Sequence, residues 1–118
     1  MPEMPEVEQV RKTLAPRITN KKFTSVEVYL DRLVKHPSVE NFVAGLTGKT
    51  ILEVGRKGKY LVLKTAPNQK LIVHLRMTGA LIAQDSGQDA PPYAKIKFTL
   101  TDDVTLWFTD IRTFGTLY

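Results

Sequence analysis

The sequence predicts an α+β fold that is mainly β: a two-sheet antiparallel β-sandwich, or flattened barrel, of about eight strands with an N-terminal helix and a second short helix. Three observations carry this. Only two stretches show helical spacing, both before residue 50. From there on, short runs rich in β-branched residues follow one another. Turn chemistry separates those runs at intervals too short for crossover helices. At 118 residues the chain is a single domain, 1–118, with room for a real core but not for two.

Taken in order, Pro5 suits the first turn of a helix, where its missing N–H costs nothing. Glu6 and Glu8 suit the positive end of the helix dipole, with Arg11 and Lys12 toward the other end. Val7, Val10 and Leu14 recur at helical spacing as a buried stripe. Pro16 disfavours helical geometry at Ala15, so the helix is expected to close there. Val26, Val28 and Leu30 alternate with polar or amphipathic neighbours as a half-buried strand. Ser38 can cap a short helix carrying Val39, Phe42, Val43 and Leu46, ended near Gly45. ILEVG, YLVLKT, KLIVHL and ALIAQ then read as strands, punctuated at Lys57-Gly58, Pro67-Asn68 and Thr78-Gly79. SGQDAPP is a loop; AKIKFTL and VTLWFT are strands joined by Thr101-Asp102-Asp103, and FGTLY supplies a last one. The chain reaches Tyr118 while still patterned as strand, the expectation for the N-terminal piece of a longer protein.

Charge narrows the function. Seventeen basic residues against twelve acidic ones give +5. Between Lys49 and Arg76 stand seven cations (Lys49, Arg56, Lys57, Lys59, Lys64, Lys70, Arg76) against the single acid Glu53. Such a density attracts polyanions, nucleic acid first, the bland alternative being a solvated basic face. No apolar stretch is long enough to span a bilayer, and an N-terminus bearing Glu3, Glu6 and Glu8 is not a signal peptide. Without cysteine there is neither a disulfide framework nor a thiolate metal site, in keeping with a cytoplasmic location.

The opening MPEMPEVEQVRKTLAP carries the chemistry. Removal of Met1 makes Pro2 the amino terminus, a secondary amine. An α-amine titrates at about 8, so a neutral, nucleophilic fraction exists at neutral pH. Condensed with a sugar C1′, a secondary amine gives an iminium ion that is cationic without a further proton and acidifies neighbouring C–H bonds. Glu3, beside it, is placed for proton transfer. The structural alternative is a stiff lead-in to the helix.

Four ordered stretches tip the balance: Pro2-Glu3-Met4-Pro5-Glu6-Val7-Glu8, Arg56-Lys57-Gly58-Lys59-Tyr60-Leu61, His74-Leu75-Arg76-Met77-Thr78-Gly79, and Asp110-Ile111-Arg112-Thr113-Phe114-Gly115. In this order and over essentially the whole chain, they resemble the formamidopyrimidine-DNA glycosylase family of repair enzymes. Met at position 4, where the sister endonuclease VIII group typically has Gly, favours the purine-repair branch.

The resemblance implies, for the full-length protein, a bifunctional DNA glycosylase/AP lyase of base excision repair, with the fragment alone expected to be weakly active or inactive. It removes oxidised purines through a Schiff base on the N-terminal proline, followed by β,δ-elimination. It makes Pro2 the nucleophile, Glu3 the acid/base, and Glu6 a support of the first turn. Lys59 is the family's essential lysine at the phosphate beside the lesion, and His74 contacts phosphate as well. Met77, Arg112 and Phe114 enter the duplex when the damaged nucleotide is flipped out, Arg112 pairing with the orphaned cytosine and the other two acting as wedges.

Each residue has a plainer reading. Lys59 alone reads as a solvated lysine and His74 in a strand as a satisfied core histidine. Met77 and Phe114 read as core, and Asp110 as a turn residue that positions Arg112. The family continues into a helix–two-turns–helix module and a four-cysteine zinc finger. This chain has neither, so no cofactor is expected in it, the family's structural zinc belonging to that missing half. The expected partner is damaged double-stranded DNA, with no membrane and no small-molecule cofactor, for a bacterial, cytoplasmic monomer. A basic nucleic-acid-binding β-domain without chemistry is the competing class. A small tautomerase with an N-terminal proline base fits this strand-rich, basic chain poorly.

Overall fold

The computed structural model describes residues 4–29, 39–58, 60–66, 69–75, 79–110 and 116–117, with backbone alone for 4–6, 39, 41 and 116–117. In chain order the elements are α1 (Met4–Ile18), β1 (Phe23–Val28), α2 (Val39–Leu46), β2 (Ile51–Lys57), β3 (Tyr60–Thr65), β4 (Gln69–His74), β5 (Gly79–Asp85), β6 (Ala94–Leu100), β7 (Val104–Asp110) and β8 (Thr116–Leu117). They form two four-stranded sheets, ordered β1-β6-β7-β5 and β2-β3-β4-β8. Every pairing is antiparallel. The expected two-sheet sandwich with two helices is the fold observed.

Period-two alternation decides what faces inward. Leu61 and Leu63 of β3 and Leu71 and Val73 of β4 meet Ile96 and Phe98 of β6 and Leu106 and Phe108 of β7, all fully buried. Phe98 packs on Phe23 and Phe42 with ring centroids 5.7 and 6.3 Å away, both tilted, an arrangement aromatic quadrupoles favour. α1 touches β2 and β5, one edge strand from each sheet, and so covers the seam where both sheets would expose unpaired backbone. α2 rests on β1, the opposite edge of the first sheet. β5 and β6 both pair antiparallel with β7 and therefore run parallel to each other, so the chain between them traverses the full strand length.

Pro16 does not close the first helix, which runs on to Ile18. The reason is tertiary. Ile18 is fully buried and holds the last turn against the core, while the Thr19 N–H donates to the Ala15 carbonyl at 3.1 Å across the proline. Pro16 itself is exposed, so the carbonyl left without a partner by its missing N–H can turn to solvent. Arg11 and Lys12 consequently lie mid-helix and Arg17 occupies the last turn. Asn20 ends the element at φ 71°, a conformation asparagine tolerates better than most residues.

β1 starts at Phe23, earlier than the Val26–Val28 alternation indicates, because a bulge between Phe23 and Ser25 breaks the period. Leu30 and Ser38 lie outside the described residues. α2 passes Gly45 to end at Leu46, followed by Gly48 at φ 85°. Of the FGTLY strand, Thr116 and Leu117 are described, paired with His74 and Val73.

Candidate nucleic-acid interface

Strand register gathers one end of the sandwich. Lys57 pairs with Tyr60, Tyr60 with His74, and His74 with Thr116; in the other sheet Gly79 pairs with Asp110. The β2–β3 hairpin tip, the β4–β5 connection and the β7–β8 connection therefore all depart from this end. Two backbone hydrogen bonds close it: Gly79 N–H to the Leu75 carbonyl at 2.9 Å, and Asp110 N–H to the Tyr93 carbonyl at 3.1 Å. α1 brings its N-terminal part to the same place. Glu8 accepts from Arg56 Nε at 3.1 Å near the tip, whereas Asn20 donates to the Ile51 carbonyl at 2.7 Å at the opposite end.

Two glycines make the local geometry possible. Because Lys57 pairs with Tyr60, two residues form the hairpin loop, and the first, Gly58, has φ 61°, as a tight primed loop requires. At Gly79 a Cβ would stand 2.6 Å from the Leu75 carbonyl oxygen, so no side chain fits while the β4–β5 turn stays closed.

Of the residues singled out from sequence, Pro2, Glu3, Lys59, Met77, Arg112 and Phe114 lie outside the described residues. Glu6 is described as backbone in the first turn of α1. His74 is placed: 7% exposed, with its ring edge-on to Tyr60 at a centroid distance of 4.7 Å. Asp110, at the end of β7, is buried. What the fold brings together is the described flanks of the four motifs: Glu8 in α1, Gly58 and Tyr60, Leu75 and Gly79, and Asp110 and Thr116.

Sequence reasoning missed an aromatic rim. Tyr29, Tyr60 and Tyr93 are 54%, 39% and 55% exposed, and all three belong to this end. The Tyr29 N–H donates to the Lys95 carbonyl at 2.7 Å, beside the start of β6, and Tyr93 holds Asp110 from φ 61°. No periodicity flags Tyr29, just after β1, or Tyr93, just before β6, whereas Tyr60 opens β3 on its exposed face, in step with that strand's alternation. On the outer face of the second sheet, Lys57, Lys64 and Lys70 are exposed around a depression of about 370 Å³ lined by Lys57, Tyr60, Val62 and Ile72. Part of the basic segment thus does occupy one face. The Glu8 carboxyl is pulled from 4.5 to about 2, first by hydrogen bonds from Arg11 and then by those from Arg56. Among the described residues, no group of three or more His, Asp or Glu could hold a metal ion, and no helix is long and apolar enough to cross a membrane.

Comparison with known proteins agrees with this geometry. The family model described as formamidopyrimidine-DNA glycosylase N-terminal domain matches residues 1–117. The formamidopyrimidine-DNA glycosylase of Carboxydothermus hydrogenoformans is 44% identical over 98% of this chain, and that of Pelotomaculum thermopropionicum 42% identical over 100%. This chain spans 43% of the length of each. Among solved structures, Lactococcus lactis Fpg bound non-covalently to DNA containing an AP site superposes with a TM-score of 0.91 at 35% identity, covering 98% of this chain and 44% of that one. The same organism's Fpg in complex with FAPY-dG-containing DNA gives 0.90 at 36% identity, covering 98% and 43%. With the fold, the ordered motifs and the matched length in agreement, the chain belongs to the formamidopyrimidine-DNA glycosylase family, as its N-terminal domain.

Proposed function

We propose that this chain is the catalytic domain of a bifunctional DNA glycosylase/AP lyase that removes oxidised purines from duplex DNA. The observation that supports it best is the convergence of the described flanks of all four motifs on one end of the sandwich. The Lactococcus lactis relatives, solved with AP-site and FAPY-dG DNA, support damaged DNA as the partner.

On this reading Pro2, freed of Met1, attacks C1′ of the damaged nucleotide. The bond from C1′ to the base breaks as the bond to the proline nitrogen forms, and Glu3 moves protons as base and ring oxygen depart. The resulting iminium withdraws the electron pair left when a C2′ proton is removed, so the 3′ phosphate leaves by β-elimination; a second elimination releases the 5′ phosphate. Lys59 and His74 hold the phosphate beside the lesion, and Glu6 supports the turn that presents Pro2. Met77 and Phe114 fill the gap in the duplex while Arg112 pairs with the widowed cytosine. The protein acts as a cytoplasmic monomer.

A second reading, a module that holds DNA without chemistry, is favoured by the exposed Lys57, Lys64 and Lys70 on one sheet face. Borohydride trapping on abasic-site DNA separates the two, with intact mass reporting Met1. Adduct formation is expected only once Met1 is removed, because a retained Met1 turns the Pro2 nitrogen into a non-nucleophilic tertiary amide. Undiminished trapping with Met1 confirmed by mass assigns the chemistry to another amine, such as Lys59. Salt-dependent binding without any adduct, in protein whose mass shows Met1 removed, supports the second reading.

A further inference from the structure

We infer that Glu8 and Arg56 are positioning residues that clamp the β2–β3 hairpin tip to the N-terminal part of α1. They thereby fix the described part of α1 against Gly58, two places that neighbour the proposed amine and lysine in sequence. The inference rests on the function proposed above.

The Arg56 guanidinium reaches two acceptors on different elements: Glu8 Oε1 through Nε at 3.1 Å, and the Gly58 carbonyl through Nη1 at 2.9 Å. That carbonyl belongs to the planar peptide unit linking Gly58 to residue 59, so the guanidinium orients the plane from which the next residue departs. Glu8 is itself held from behind. Arg11, one helical turn on, donates Nε to Oε1 at 2.9 Å and Nη2 to Oε2 at 2.5 Å. The carboxylate is therefore fixed before Arg56 arrives, and Glu8 lies about 6 Å along the axis from the start of α1, at 1.5 Å per residue.

A planar fork is needed for this geometry. A lysine ammonium carries charge but is not pre-shaped to hold a helix carboxylate and a loop carbonyl at once. Two arginines on one carboxylate also leave a net positive charge where a phosphate is to bind. An exposed ion pair contributes little to stability, yet small misplacements of reacting groups are costly in rate. The clamp acts on geometry.

The test uses single-turnover borohydride trapping on abasic-site DNA at saturating protein, with DNA Kd measured in parallel, on Glu8→Gln, Arg56→Gln, Arg56→Lys and the Glu8→Gln/Arg56→Gln double variant. Arg17→Gln, which removes the ion pair to Asp85 at the other end of α1, is the control. Glu8→Gln is expected to slow trapping by about tenfold while Kd stays level or tightens, because an anion has been removed from a DNA-binding surface. Arg56→Lys is expected to be as slow as Arg56→Gln, the double variant no slower than either single, and Arg17→Gln unchanged. Trapping by Glu8→Gln at the wild-type rate, or additive losses in the double variant, overturns the inference.

Amide hydrogen exchange gives an answer independent of activity. In Glu8→Gln, exchange at the hairpin tip, Gly58 to Leu61, is expected to accelerate by about tenfold while Gly79 stays unchanged. Unchanged exchange at the tip removes the clamp even if the wild-type chain traps nothing. Absence of trapping by wild-type protein whose mass shows Met1 removed, together with accelerated tip exchange in Glu8→Gln, leaves the clamp standing and removes the catalytic reading instead.

Discussion

The two ends of the sandwich are built differently. At the end far from the motif segments, the strap from Asn20 to Phe23 laces the layers together through its backbone. Asn20 N–H and Ile51 N–H bond to Ile51 and Lys21 carbonyls at 2.7 and 2.8 Å, Phe23 N–H bonds to the Lys49 carbonyl at 2.9 Å, and Thr101 N–H to that of Lys22 at 3.0 Å. Lys21 adds an ammonium contact to Asp102 at 2.7 Å, on a turn where Asp102 and Asp103 have φ 62° and 60°. At the motif end, the connection between α1 and the hairpin is made by side chains, Arg56 and Glu8. Backbone bonds are largely indifferent to sequence, so the laced end can hold the sheets together whatever residues the other end carries. The motif end is thereby left to be specified by side chains.

The comparison breaks most visibly in the core that both ends share. Phe98→Ala removes a fully buried ring touching Phe23 and Phe42 and is expected to cost about 3–5 kcal/mol in urea unfolding, enough to threaten the whole domain. A loss below about 1 kcal/mol would show that the sheets do not share this centre. Next in size is Gly79→Ala, whose Cβ meets a carbonyl oxygen at 2.6 Å. Thermal unfolding should record a loss of about 1–3 kcal/mol, and full tolerance means the β4–β5 turn is looser than its hydrogen bond implies.

Lys59→Ala should move stability by less than about 0.5 kcal/mol, since its assigned task is phosphate contact. The same variant should lower the slope of log K against log salt for duplex binding by about one, and an unaltered slope removes Lys59 from the phosphate contacts. The smallest effect is confined to acid. The Glu8 carboxyl is depressed from 4.5 to about 2, so what it contributes to stability is fully present above pH 4.5 and is lost as pH falls toward 2. Acid unfolding of Glu8→Gln should therefore be shallower between pH 4.5 and 2, with no added pH dependence above that window. An identical acid limb in both proteins would mean that the depressed carboxyl is not linked to folding.

Most strands were legible because YLVLKT, KLIVHL and AKIKFTL are short, rich in β-branched or aromatic residues and bounded by turn chemistry. The end of α1 was not. Local chemistry says that Pro16 stops a helix, but the burial of Ile18 against strands distant in sequence outweighs it. Sheet order was equally hidden, since only long-range pairing places β7 between β5 and β6. At the motif end, the resemblance named individual residues, and Glu8 and Arg56 stood in two of its motifs, but nothing in the sequence joins positions 48 apart until the hairpin folds back onto α1. Tyr29 and Tyr93 were invisible for a related reason, because exposure just beyond a strand end is a property of topology.

The seam that α1 covers has a consequence in time. One of its two walls, β5, ends at Asp85, long after Ile18 has been synthesised. At about 5–20 residues per second, the helix waits roughly 3–13 s for that wall. During this interval Val7, Leu14 and Ile18 have no β5 to pack against, and the N-terminal end of the chain stays open to enzymes that trim it. On the proposed reading, the wait for β5 is also the interval of synthesis in which removal of the initiator methionine frees Pro2.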